Sequence, residues 1–471
     1  MPGKILLINT NIMRPRVAPI GLDYLASALT GAGADVHFFD LAMEGGDWKS
    51  RLQRMLNALQ PHLVGITIRN IDDCYFLSGQ FLVSPVKQLV AWLRKNTEAK
   101  IVVGGGGYSI APRALLEYIG ADWGIWGDGE EAVVKLLNTV ASDRTPKPDD
   151  IPGLVLPGAK FPQRAEANLA RLKFNRKLPN NSLYFRLGGQ IGVETKRGCS
   201  GKCIYCADPL AKGTRMRMRK PEAVADEIEA LVAVGATAFH ICDSEFNRPY
   251  AHAEAVLREI IRRKLGKKVE FYGYFSPKPF DLALAKLFAR AGGKGICFGA
   301  DSGSDEMLAT LKRDHNAADI ELAVKACAKA GVKTMCDLLL GGPGETRESL
   351  AETIALMKKI KPDRVGISYG LRVYAGTELS DIVRKSGGAT LTARRVKEAG
   401  NAFPEFYLSP ALRKDGLKYL RKIVGKDPRF FLPAEVTKKQ NYNYSGNFYL
   451  EDLIRKGARG AYWKILLDDA R

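Results

Sequence analysis

QIGVETKRGCSGKCIYCADP, residues 190–209, runs from an alternating strand pattern into three cysteines, Cys199, Cys203 and Cys206, at spacings of four and three. The strand pattern recurs downstream. ATAFHICD, KVEFYGYF, KGICFGAD, VKTMCDLLLGG and DRVGISYGLR read as further strands, separated by helical patterns such as EAVADEIEALVAVG and ESLAETIALMKKI. Six strand-helix units predict an open or complete barrel, a partial (β/α)6 barrel over residues 186–385, with its active site at the carboxyl ends of the strands. The three cysteines follow the first strand at that end.

Upstream, residues 1–145 alternate GKILLINT, ADVHFFDL, HLVGITIR, AKIVVGGGG and ADWGIWG with helical stretches. Parallel strands need helical crossovers, so this alternation predicts an α/β domain with a doubly wound parallel sheet, Rossmann-like or flavodoxin-like. SDRTPKPDDIPG, rich in turn formers, opens a linker placed at 146–185. From 386 to 471 the chain is helical and aromatic (FPEFYLSP, DPRFFLP, NYNYSGN), and a mainly helical C-terminal cap is expected.

The 471 residues are 46% hydrophobic and 26% charged, an ordinary globular composition. No apolar run is long enough to span a membrane, and MPGKILLINT enters a strand without a leader pattern, so the chain reads as cytoplasmic. The net charge of +20 suits an anionic substrate. It is spread over helices such as REIIRRKLGKK rather than gathered with aromatics, which argues against nucleic acid as partner. The other five cysteines are scattered singly among apolar neighbours, as reduced buried thiols are.

Structural zinc takes four ligands, and this cluster offers three with no histidine beside them. A four-iron four-sulfur cluster held by three thiolates keeps one iron open to a small molecule, whereas electron carriers fill all four sites. C-x-x-x-C-x-x-C after a first barrel strand closely resembles the signature of the radical S-adenosylmethionine (SAM) enzymes. The resemblance implies a 4Fe-4S cluster on Cys199, Cys203 and Cys206 whose open iron binds SAM. Tyr205 then stands near the adenine or simply packs. Asp243 or Glu245 in CDSEFN would take the SAM amino group. Asp301 and Ser302 in GADSGS would meet its ribose and carboxylate, Asp301 having a helix N-cap role as its rival. Gly342 and Pro343 in LLGGPGET would pass close by. Lys196 and Arg197 either raise the cluster potential or are solvated, and Arg217 or Arg219 either meets the SAM carboxylate or flanks the next helix.

The first domain resembles the cobalamin-binding domain that precedes the barrel in one large radical SAM subfamily, through APIGLDYLASAL, LVGITIR, IVVGGGGYSIAP and GADWGIWGDGEEAV. This implies cobalamin contacts at Thr67, Arg69, Gly104, Gly105, Gly106, Gly127 and Glu130. Asp35 and His37 in ADVHFFD only partly match the D-x-H-x-x-G motif that supplies an axial histidine, because Asp40 stands at the glycine position, so cobalamin without a protein histidine is expected. What the family implies is methylation of an unactivated carbon of a small-molecule or lipid-like substrate, through a 5'-deoxyadenosyl radical and methylcobalamin. Its alternative is a cyclase or rearrangement enzyme that transfers no methyl group. An external electron donor such as flavodoxin or ferredoxin is implied as partner. A methylthiotransferase acting on RNA would need three more cysteines in the first domain, where only Cys74 stands.

Overall fold

The computed structural model describes residues 3–172, 174–385, 391–392, 404–432 and 446–470. Strand β1 (Lys4–Asn9), KILLIN, is buried beyond its first residue, as a parallel strand with helices on both faces must be. With β2 (Asp35–Asp40), β3 (Leu63–Thr67), β4 (Lys100–Gly104) and β5 (Trp123–Ile125) it forms a parallel sheet in the order β2-β1-β3-β4-β5. Connections leave β1 and β3 in opposite directions, which opens a crevice at their carboxyl ends. Thr67 lies on that rim. A sixth strand, β6 (Leu154–Val155), pairs antiparallel with β5 and comes from the stretch expected to be linker. Two apolar residues between turns carry no readable period.

The second sheet holds β7 (Ile191–Val193), β8 (Ala238–Ile241), β9 (Glu270–Phe275), β10 (Gly293–Asp301), β11 (Lys333–Leu340) and β12 (Arg364–Tyr369) in sequential order, all parallel. A seventh strand, β13 (Phe430–Phe431), continues it from the C-terminal region. That region therefore carries more than helices, for Glu405–Tyr407 also pairs antiparallel with Leu371–Val373. Residues 441–445 of the aromatic tail lie outside the described residues.

Strand alternation separates two layers. Phe239, Phe271, Phe275 and Phe298 pack under the surrounding helices. Tyr272, Cys297 and Met335 point the other way, into the barrel, and meet Trp463, Ile465 and Leu466. The helices Phe448–Arg455 and Tyr462–Asp469 bridge the open seam of the barrel. Gly460 N donates to Gly189 O at 2.9 Å just before β7, and Arg364 Nη2 at the start of β12 donates to Leu466 O at 3.0 Å. Gly295 admits the Trp463 indole, which a Cβ there would approach to 2.8 Å.

The carboxyl ends of the two sheets face each other. The loop after β3 reaches the end of β12, where Arg372 Nε donates to Asp72 Oδ2 at 2.7 Å and Cys74 Sγ lies 3.2 Å from the Tyr374 hydroxyl. Behind this contact an ionic knot joins the domains. Arg176 of the linker pairs with Asp23 of helix Ile20–Gly31 and with Glu227 of helix Pro221–Ala233, and Glu227 also pairs with Arg219. All four side chains are 1% exposed or less.

Candidate active site

The cysteine loop is aimed by what lies beneath it. Lys196 and Arg197 pair antiparallel with Arg217–Met218, and Cys199 N donates to Gly213 O at 3.0 Å. Gly198 turns the chain at φ 93°, where a Cβ would lie 2.1 Å from Arg215 O. Between the second and third cysteines Ile204 points down into an apolar cluster with Leu311, Leu371 and Leu379. Its backbone is held on both sides, by Leu311 O at 3.3 Å and Leu379 N at 2.8 Å. With that anchor buried, Cys199, Cys203 and Cys206 turn to a cavity of about 570 Å³, whose lining includes Tyr205, Glu245, Tyr274, Asp301 and Arg313.

This donor set fits an iron-sulfur cluster. The three thiols are free, and glycine at 201 leaves the space between two of them open, since a Cβ there would come 3.3 Å from Cys199 Sγ and 3.8 Å from Cys203 Sγ. Burial pushes all three thiols up, and the Arg313 charge pulls Cys203 part of the way back. Metal binding would replace the protons that burial retains.

Of the residues expected to meet SAM, the structure brings Tyr205, Glu245 and Asp301 to the cavity. The Tyr205 hydroxyl donates to the Asp301 carboxylate. Asp301 is no N-cap: Ser304 holds that position on helix Asp305–Thr310, and Asp301 has φ 58° with its side chain turned to Tyr205 and Arg313. Asp243 stays out of the lining. It accepts from Thr195 N at 2.8 Å, Thr195 Oγ1 at 2.6 Å and Lys196 N at 3.3 Å, clamping the end of β8 to the cysteine loop. Ser302 is buried 2.9 Å from the Thr353 hydroxyl. Gly342 packs on Met307 and Leu311, and neither it nor Pro343 lines the cavity.

The basic residues are also committed. Lys196 Nζ donates to Glu245 O at 2.8 Å. Arg197 is buried among Glu130, Glu194 and Asp128 at 2.7, 2.7 and 3.3 Å, so it is neither solvated nor an uncompensated charge. Arg217 pairs with Asp128 and Arg219 with Glu227, both away from the cavity.

Arg313, which no sequence motif singles out, is the hub of the site. Its Nη1 donates to Cys203 Sγ at 3.0 Å, and its Nη2 donates to Glu245 Oε1 at 3.0 Å and Gly299 O at 2.9 Å. Nε lies 3.1 Å from Asp301 Oδ2.

In the first domain, Thr67, Arg69, Gly104, Gly105, Gly106 and Gly127 gather at the carboxyl ends of β3, β4 and β5. The glycines divide by cause. Gly105 (φ 105°) and Gly127 (φ 99°) are required by the chain's own backbone, for a Cβ would meet Ile68 O at 2.7 Å and Ala165 O at 2.3 Å. A Cβ at Gly106 would meet only Arg69 O, at 3.9 Å, so this glycine leaves an open rim that a flat macrocycle fits. Glu130 opens the helix that follows Gly127, and its Oε1 pairs with Arg197. His37 lies 2.9 Å from Asp35 on edge strand β2. On the barrel side, His240 of β8 is pushed down to about 4 by burial, with Arg69 adding to the shift, and its ring meets Tyr274 edge-on at 5.2 Å.

Family comparison agrees with this geometry. Residues 193–357 match the Radical SAM superfamily and residues 13–137 the B12 binding domain. The tryptophan 2-C-methyltransferase of Streptomyces laurentii is 30% identical over 98% of this chain and 95% of its own. The anaerobic magnesium-protoporphyrin IX monomethyl ester cyclase of Cereibacter sphaeroides is 27% identical, over 73% of this chain and 57% of its own. Among solved structures, the radical SAM methyltransferase TsrM of Kitasatospora setae, with tryptophan substrate and a SAM analog bound, superposes with a TM-score of 0.91 at 29% identity, covering 99% of this chain and 98% of that one. A second structure of the same enzyme holds cobalamin and a [4Fe-4S] cluster. OxsB, a cobalamin-dependent SAM radical enzyme, shares the fold at a TM-score of 0.71 and 14% identity, over 87% of this chain and 64% of that one. The chain belongs to the radical SAM superfamily, as a member that carries a B12 binding domain ahead of its radical SAM domain.

Proposed function

We propose that the chain is a cobalamin-dependent radical SAM C-methyltransferase acting on tryptophan or a small molecule that presents an indole. One observation carries this reading. Three free thiols line one cavity with Glu245 and Asp301, both within reach of Arg313, in a chain that resembles a tryptophan 2-C-methyltransferase over 98% of its length.

Bound together, SAM supplies the methyl group, cobalamin carries it and the 4Fe-4S cluster supplies electrons. The protein supplies placement. Cys199, Cys203 and Cys206 would hold the cluster; Glu245, Asp301 and Tyr205 line the space left for SAM. Thr67, Arg69 and Gly106 border the room for cobalamin. Tyr274, 42% exposed at the end of β9, offers a ring against which an indole stacks. The loop after β3 is held to the end of β12 by Arg372 and Tyr374. A reduced flavodoxin or ferredoxin in the cytoplasm would load the cluster.

The test is turnover of the anaerobically reconstituted chain with cobalamin, a reductant, tryptophan and SAM carrying a deuterated methyl group. The expected product is tryptophan with the label on carbon. Release of 5'-deoxyadenosine with no labelled product, from tryptophan or from a panel of indoles, would sink the methyl-transfer reading.

A further inference from the structure

Four groups surround the Arg313 guanidinium, Cys203, Glu245, Gly299 O and Asp301, and one of them is a sulfur. Arginine only donates, so Cys203 Sγ is the acceptor in the 3.0 Å contact. We propose that Arg313 is a positioning residue that sets the reduction potential of the cluster held by Cys199, Cys203 and Cys206, through a charge-assisted N–H···S bond to Cys203. This rests on the assignment of those three thiols as cluster ligands.

The physics is directional. A donor at a ligand sulfur withdraws electron density from it, which stabilises the more negative, reduced cluster over the oxidised one and raises its potential. Cys199 takes a backbone donor, Gly201 N at 3.4 Å, while Cys203 takes a full charge. The guanidinium is not free to swing away. Its side chain is 7% exposed, Gly299 O and Glu245 fix one nitrogen, and Asp301 stands beside another. Its planar fork reaches three acceptors at once, which a lysine ammonium on a single point cannot do. Burial also leaves the contact poorly screened. The same guanidinium thus aligns Glu245 and Asp301 and touches a cluster ligand, so the SAM side of the cavity and the cluster share one cation.

The experiment compares the cluster midpoint potential, followed by electron paramagnetic resonance during an anaerobic titration, in wild type, Arg313→Lys, Arg313→Gln and Lys312→Gln. Lys312 is half exposed beside Arg313 and pairs with Glu378, so it reports what a neighbouring charge does without a bond to sulfur. Midpoints shifted negative in both Arg313 variants, more for glutamine than for lysine, with Lys312→Gln near wild type, are expected. An unchanged midpoint in Arg313→Gln, or an equal shift in Lys312→Gln, overturns the proposal. Should the glutamine variant lose its iron, the lysine variant decides: a midpoint equal to wild type refutes the sulfur contact. A wild-type chain that binds no cluster would instead refute the ligand assignment, and it shows before any variant is made.

Discussion

Burial decides what the acidic side chains around the barrel mouth can do. Glu345, 1% exposed, accepts from the backbone of Gly341 and Gly342 through Oε2, while Oε1 has no partner among the described residues. Desolvation pushes its carboxyl up to about 7. The folded chain therefore holds a proton that the unfolded chain releases near the ordinary glutamate value, and stability falls as pH rises through that window. Glu345→Gln removes the penalty, so it should melt higher than wild type at pH 8, by up to roughly 3 kcal/mol, and close to wild type at pH 5. Thermal unfolding at the two pH values checks this; a variant less stable at pH 8 contradicts it. At this scale the sequence was legible where spacing carries chemistry, as with the three cysteines. It was silent on Arg313, whose contacts come from loops distant in the chain. It could not choose between Asp243 and Glu245 either, because loop conformation past a strand end, not the two-residue period of a strand, decides which carboxylate faces inward.

Elements were legible in proportion to their length. The continuous apolar runs of β1 and β3 and the long helices announce themselves, while the two-residue strands β6 and β13 exist only because a neighbour offers an edge. The short ladder of Lys196–Arg197 on Arg217–Met218 is of the second kind, yet it aims the cysteine loop. Gly198 sits at its end with φ 93° and no room for a Cβ. Gly198→Ala should cost about 1–3 kcal/mol and lose most of the iron after reconstitution while circular dichroism stays native. Full iron content in that variant would show that the ladder does not set the loop.

At the scale of the whole molecule, the two domains meet through charge. Arg176 neutralises Asp23 and Glu227 where water does not reach. Arg176→Met would strand Asp23 and leave Glu227 to Arg219 alone, and a loss of about 3–5 kcal/mol is expected, read as a fall in the denaturant midpoint. Adding Asp23→Asn should recover part of it, since the stranded charge is then gone; no recovery would mean that packing around Arg176 dominates. None of this was visible from charge counts, which spread the basic residues over helix surfaces. The same scale gives the helices Phe448–Arg455 and Tyr462–Asp469 a meaning in time. They are translated after every strand they touch, so on the ribosome the nascent barrel stands with its seam unsealed and Tyr272, Cys297 and Met335 uncovered until that final pair emerges to stopper it.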